Sequence, residues 1–228
     1  MKCKHCEQPM KKKKRPVSVS FTHTIYACEC GHEEHHKIER TELTDAHKRK
    51  IHFEHIKAHF DTVDEGIIKE KTTHVFDTSC GIWGCSSLRD TFELFEKIQL
   101  HEAKHFVDLG SGDGRITMLA SLFTNAHGIE GDKTMHKLGE TAHKTLKKQI
   151  PALNRCTLVH GNYEEHDMGK FDIFYTYNDH HWSEKFEQQL KKTNGTLLAF
   201  KNIFEPKHLK KGKTIWIGQT PVVTYRLT

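Results

Sequence analysis

The sequence predicts an α/β protein: a doubly wound sheet with an antiparallel C-terminal edge, preceded by a small cysteine-bearing module and a linking helix. Three observations predict it. Short apolar runs alternate with helical periodicity from about Ser86 onward, two cysteine pairs fall within the first thirty residues, and a charged segment with a narrow apolar stripe lies between them. The expected boundaries are 1–40, 41–74 and 75–228. With 228 residues, 36% of them hydrophobic, the chain can bury one medium core and carry a small appendage. A mean hydropathy of -0.68 and the lack of any long uncharged apolar run exclude a membrane helix. The lysine-rich start has no signal-peptide apolar stretch, so the expectation is a cytoplasmic protein that does not engage membranes.

Taken in order, the first element is the charged segment from about Glu42 to Lys71. Ala46, Phe53, Ile56, Phe60, Val63 and Ile67 recur there at steps of three, four or seven, which puts them on one side of a helix. Such a helix either lies across a larger domain or pairs with a copy of itself; the run is short for a coiled coil, which favours the first. Leu88, Phe92, Phe95 and Ile98 form a second helical stripe, with Ser86 or Ser87 as its N-cap. A strand is expected at His105–Leu109, then a glycine-rich turn and a helix from Arg115 to Phe123. Further strands are expected at 126–130, 157–160, 171–177 and 196–201, with helices near 135–148 and 183–192 between them. The last two strands, about 214–218 and 222–227, are too close in sequence to be anything but antiparallel neighbours.

The strongest chemical signal is Asp108-Leu109-Gly110-Ser111-Gly112-Asp113-Gly114-Arg115, where a buried strand enters a glycine-rich turn that opens a helix. Glycines there let backbone approach a ligand closely. A dinucleotide fingerprint needs its third glycine at position 115, which is Arg, and a pyrophosphate is repelled by Asp108 and Asp113. An ammonium and a sulfonium are attracted by them, and S-adenosylmethionine carries both. Glu130 ends the second strand, twenty residues past Gly110, where a carboxylate can accept both ribose hydroxyls. Asn162 follows the third strand, where an amide can address the adenine amino edge.

On these residues the segment from about 75 to 228 resembles the class I, Rossmann-like (seven-β-strand) S-adenosylmethionine-dependent methyltransferases. Its Asp-Leu-Gly-Ser-Gly-Asp-Gly-Arg string is especially similar to that of the non-SET protein-lysine methyltransferases. The resemblance implies that Asp108 and the loop Gly110, Ser111, Gly112, Asp113 and Gly114 hold the methionine end of the cofactor, Glu130 the ribose and Asn162 the adenine. It also implies that Gly81-Ile82-Trp83-Gly84, Trp83 above all, closes over the methionine side.

The acceptor is expected beyond the fourth strand, at Tyr175-Thr176-Tyr177-Asn178-Asp179-His180-His181-Trp182. The prolines typical of exocyclic-amine nucleic-acid methyltransferases are absent there, and no cysteine nucleophile for cytosine C5 chemistry is present. A lysine ammonium must lose a proton, and an aromatic wall favours its neutral form by desolvation. Tyr177, Asn178 and Trp182 are the candidate catalytic residues, Tyr175 a further wall, with plain core packing the competing reading of each aromatic. Asp179, His180 and His181 are weighed as a divalent-metal site and disfavoured, because adjacent side chains rarely chelate one ion together.

At the N-terminus, Cys3-x-x-Cys6 and Cys28-x-Cys30-Gly31 stand twenty-one residues apart, with the alternating Val17-Ser18-Val19-Ser20-Phe21 and Ile25-Tyr26 between them. Two cysteine knuckles on a β-hairpin are the layout of a zinc ribbon, and residues 1 to about 40 resemble the small ribbons found in antitoxins. A structural zinc on Cys3, Cys6, Cys28 and Cys30 is expected, with His32, His5 or His23 as substitutes for Cys28. Residues 1–20 hold seven Lys/Arg and one Glu, a surplus able to contact RNA phosphates or an acidic protein patch. Cys80 and Cys85 are expected to pack rather than to ligate. The function expected is N-methylation of protein lysine; the alternatives are an RNA methyltransferase guided by the basic ribbon and a non-catalytic adaptor.

Overall fold

The computed structural model describes residues 1–18, 21–40, 43–73 and 75–227. Val19, Ser20, Thr41, Glu42, His74 and Thr228 lie outside the described residues, as do the side chains of 14–18, 21–23 (His23 among them) and 36–40. The chain divides into two compact units, Met1–Ile51 and His52–Thr228.

In the first unit, β1 (Lys11–Ser18), β2 (Phe21–Ala27) and β3 (Glu33–Arg40) form an antiparallel sheet in that order. Pairing of Lys11 with Ala27 brings the end of the first knuckle beside the start of the second. The sequence did not announce β3, because its charged and His residues leave no apolar alternation to read. Among the described residues, the apolar cluster of this unit is Cys3, Met10 and Cys28, with Cys6 and Tyr26 against it.

Helix α1 (Asp45–Lys71) buries Phe53, Ile56 and Phe60 in the larger core, so it lies across that domain. Ala46 is exposed, and the working stripe therefore starts at Phe53. A short hairpin follows, β4 (Val75–Thr78) and β5 (Gly81–Gly84), then α2 (Leu88–Lys97), whose cap is Ser87 accepting from the Asp90 N–H at 3.2 Å. The remaining elements are β6 (His105–Leu109), α3 (Arg115–Ala120), β7 (Asn125–Glu130), α4 (Lys133–Leu146), β8 (Cys156–His160), β9 (Ile173–Thr176), α5 (Glu184–Leu190), β10 (Thr196–Phe200), β11 (Lys210–Ile217) and β12 (Thr220–Arg226).

Seven strands pair in the order β11-β12-β10-β9-β6-β7-β8. The five from β6 to β10 are parallel, and β12 is antiparallel to both of its neighbours, so the C-terminal hairpin forms the edge with β12 inside β11. Strand β11 starts at Lys210, earlier than expected, and carries a bulge between Lys211 and Thr214. Gly212 permits that start, since a Cβ there would lie 2.6 Å from Thr224 Oγ1. Successive strand residues face opposite sides. Phe106 and Tyr175 thus join one apolar cluster with α1 and α2, while Val107, Leu109 and Phe174 join the other.

Candidate active site

The chain runs from β6 outward to β7 and β8 in one direction, then returns to β9 and β10 on the other side of β6. That reversal opens a crevice beyond the carboxyl ends of β6 and β9, the usual ligand position in open α/β sheets. Asp108 and Glu130, from adjacent parallel strands in register Asp108↔Gly128, both reach this edge.

The glycine loop follows from backbone geometry. Gly110, Gly112 and Gly114 all take left-handed φ values of 76°, 56° and 75°. At Gly112 an added Cβ would lie 2.7 Å from the indole nitrogen of Trp83, so the hairpin β4–β5 lies directly on the loop. Gly114 caps α3, and a Cβ there would lie 3.0 Å from Leu158.

Two cavities meet at this point. One, of about 430 Å³, is lined by Glu130, Met135, Asn162, Tyr163 and the loop; the other, of about 380 Å³, by Asp108, Asp113, Tyr175, Lys201 and Phe204. Trp83, Gly110, Gly112, Tyr177, Asn178 and Asp179 line both and form the wall between them. Either volume lies within the range of small-molecule sites, about 300–1,000 Å³.

The carboxylates differ in what holds them. Glu130 is 8% exposed and accepts the N–H of Gly112 at 2.6 Å and of Asp132 at 2.7 Å; burial raises its pKa against these bonds. Asp108 is 3% exposed, accepts only the Thr117 hydroxyl among its side-chain contacts, at 3.0 Å, and is pushed up to about 7 by burial, with the charges of Glu130 and Asp113 adding. Asp113 is already neutralised. Its carboxylate takes the Arg115 guanidinium at 2.7 to 3.1 Å, and the same guanidinium forks onto Asp64 of α1 at 2.6 and 2.9 Å. The expectation that Asp113 offers a free charge to the ligand is thereby corrected. Arg115 also lies over the rings of Phe60 and Trp83, and Cys85 donates to Asp64 at 3.3 Å.

Asp132 went unnoticed in the sequence, although Gly131-Asp132-Lys133-Thr134 carries a helix-cap signal. It caps α4 through the N–H groups of Thr134 and Met135 and accepts the Ser79 hydroxyl at 2.6 Å, which lowers it to about 2 and fastens the β4–β5 turn to α4. Arg115 and Asp64 could not have been paired from sequence, being 51 residues apart.

On the acceptor side, Asn178 is 8% exposed and its amide nitrogen donates to the carbonyls of His180 and Phe204, each at 3.0 Å. Two acceptors on one end fix the orientation of the amide. Its Oδ1 is left buried and unpaired on the wall between the cavities. Trp182 is a correction. It lines neither cavity but packs edge-on against Phe186 at 5.3 Å in the apolar cluster beneath. Asn162 lines the first cavity, and its own turn holds it: Oδ1 accepts the Glu164 N–H at 3.0 Å and the amide nitrogen donates to Glu165 Oε1 at 3.5 Å. Asp179 clamps the hairpin by accepting the Ile82 N–H, and also faces His180 Nδ1 at 2.6 Å. Among the described residues the only metal-compatible cluster is Cys3, Cys6, Cys28 and Cys30, so neither Asp179–His181 nor Cys80 with Cys85 forms one. Burial pushes the Cys85 and Cys156 thiols up to about 12, which makes both inert as nucleophiles.

Residues 68–170, which include the glycine loop, Glu130 and Asn162, match the model of the family described as Histone methylation protein DOT1. The chain is a class I S-adenosylmethionine-dependent methyltransferase. A methyltransferase from Geobacter sulfurreducens shares its fold, at 14% identity and a TM-score of 0.50, over 77% of this chain and 97% of that one. An RNA methyltransferase from Salinibacter ruber, solved with S-adenosyl-L-homocysteine, aligns at 18% identity and a TM-score of 0.48 over 63% of this chain and 93% of that one. No curated protein matches the methyltransferase. Among the described residues, no helix is long and apolar enough to cross a membrane.

Proposed function

We propose that this methyltransferase methylates the Nζ of protein lysine. The observation that carries the reading is Asn178, whose Oδ1 is a buried, orientation-fixed acceptor on the wall between the cavities, suited to an N–H of an incoming amine. Tyr177, and Tyr175 on the second cavity, supply aromatic surface that disfavours the hydrated ammonium. The methyl passes in line from sulfur to nitrogen, so catalysis consists of positioning and desolvation.

In the same reading Asp108 and the Gly110–Gly114 loop take the methionine end and Glu130 takes the ribose through the lone pairs its backbone bonds leave free. Asn162 addresses the adenine through its amide, and Trp83 covers the methionine side. The match to the histone-methylation family supports a protein acceptor.

The four thiols of the first unit hold a structural zinc. All four Sγ atoms lie within 4.8 Å of one another, with Cys3–Cys30 at 3.6 Å and Cys6–Cys28 at 3.2 Å. A tetrahedral ion at about 2.3 Å from each sulfur needs edges of about 3.8 Å, so the donor set fits a closed site.

Methyl-labelled cofactor offered with cell extract tests the acceptor. Label that survives nuclease and is lost to protease, and that maps to methyl-lysine, is expected. Label in nuclease-sensitive material would establish the RNA alternative instead, and failure to bind S-adenosylhomocysteine in a calorimeter would leave only an adaptor.

A further inference from the structure

Strands β9 and β10 pair in parallel up to Thr176 and Ala199. Two residues beyond these ends stand Asn178 and Lys201, both lining the second cavity. Lys201 lines the second cavity, and its Nζ stands 5.2 Å from the centre of the Tyr177 ring, a cation over an aromatic face. Among the described residues this ammonium forms no ion pair. Nearby Lys211, by contrast, pairs with Glu205.

The backbone that presents Lys201 is unusual. Lys201 and Asn202 take left-handed φ values of 56° and 47°, which residues with a Cβ adopt at a cost and which concentrate at functional sites. Three bonds hold the bend: Lys201 N–H to the Pro221 carbonyl at 2.9 Å, the Tyr225 hydroxyl to Asn202 Oδ1 at 3.0 Å, and Asn202 Nδ2 to Glu205 at 3.0 Å. A regular continuation of β10 would not require this bend.

We propose that Lys201 is itself a methyl acceptor, so that the enzyme modifies its own acceptor cavity. The inference rests on the reading that the acceptor is a lysine amine. Its aliphatic ammonium already stands against Tyr177, in the cavity that shares Tyr177 and the unpaired Asn178 oxygen with the cofactor side, and rotation of its terminal bonds moves Nζ by several ångströms. In the step, Nζ gives one proton to water. The neutral amine then attacks the sulfonium methyl: the N–C bond forms, the C–S bond breaks, and its electron pair stays on sulfur as S-adenosylhomocysteine. Because the lysine and the cavity belong to one chain, the reaction is intramolecular. Methylation keeps the cation over the Tyr177 ring while removing an N–H, so the modified cavity presents bulk where it presented a donor.

The test is mass spectrometry of the full-length protein incubated with S-adenosylmethionine alone. A mass gain of one or more methyl groups is expected, mapped to the peptide containing Lys201, at a rate per molecule unchanged over a tenfold range of protein concentration. Lys201→Arg should lose that gain, with S-adenosylhomocysteine binding reporting that the variant is folded. Methyl groups found only at other residues, or a rate that rises with protein concentration, would overturn self-modification of the cavity. So would an unmodified Lys201 in protein that labels lysines of an extract, a result that leaves the lysine reading standing. Label confined to RNA removes both.

Discussion

The two units of the chain are stabilised by opposite means. Among its described residues the first has a three-residue buried cluster, two of its members cysteines, and a sheet whose strands carry lysine, histidine and glutamate. The second sandwiches one seven-stranded sheet between two apolar clusters that include most of its phenylalanines. Forty residues cannot bury enough surface to offset chain entropy, whereas the larger unit can, so under the proposed zinc reading metal binding does for the first what packing does for the second. The same contrast runs into the site. The larger unit's packing surplus sustains features that cost free energy: a carboxyl buried at Asp108, an unpaired amide oxygen at Asn178 and a left-handed Lys201.

Metal removal breaks this comparison most severely if it is wrong. Chelation, or Cys3→Ser with Cys6→Ser, should unfold the first unit, because structural zinc contributes about 10–16 kcal/mol of apparent folding free energy in such modules. Backbone amide signals of residues 1–40 should collapse while S-adenosylhomocysteine affinity stays within about twofold; joint loss would contradict separate means of stabilisation. Next in size is Arg115→Met, which strands Asp113 and Asp64 without a counter-charge. Breaking a buried ionic cluster costs about 3–5 kcal/mol, read as a fall in the thermal transition of the larger unit with zinc content unchanged.

Glu130→Gln sharpens the picture inside the crevice. Loss of charge-assisted bonds to the ligand should weaken S-adenosylhomocysteine binding by about 1.5–3 kcal/mol, roughly ten- to a hundredfold, in a calorimetric titration. The smallest effect expected is that of pH on Asp108. Burial raises its pKa to about 7, so a proton occupies it in mildly acid solution, and under the proposed reading a ligand ammonium displaces that proton. Affinity should therefore rise from pH 6 to 8 and level off above, with proton release visible as a dependence of the binding heat on buffer. The sign for stability is the reverse of the usual carboxylate case. A folded pKa above the unfolded one means that the group costs stability as pH climbs from about 4 toward 7. Flat affinity across that range would remove Asp108 from the ligand's contacts.

Much of this architecture was legible. The Gly-x-Gly-x-Gly string marked its own turn, Ser86 or Ser87 the helix cap that falls to Ser87, and Cys3-x-x-Cys6 with Cys28-x-Cys30 their own convergence, because each depends on spacing within a few residues or across one hairpin. Trp182 was misplaced for a definable reason: period-two alternation assigns faces along a strand, and β9 ends at Thr176, before the residue in question.

While β3 and the β4–β5 hairpin carried no readable period, the sequence by itself determined most elements of the larger unit and their order, and which short motifs present glycine, carboxylate and thiol. Those are consequences of local sterics and periodicity, which neighbouring residues settle among themselves. Tertiary structure alone decided that Asp113 is neutralised by Arg115 with Asp64, that the Phe204 carbonyl turns the Asn178 oxygen toward the crevice, and that Lys201 stands over Tyr177. Each of these joins groups from separate elements, where the energy of a contact depends on burial and geometry that no spacing encodes.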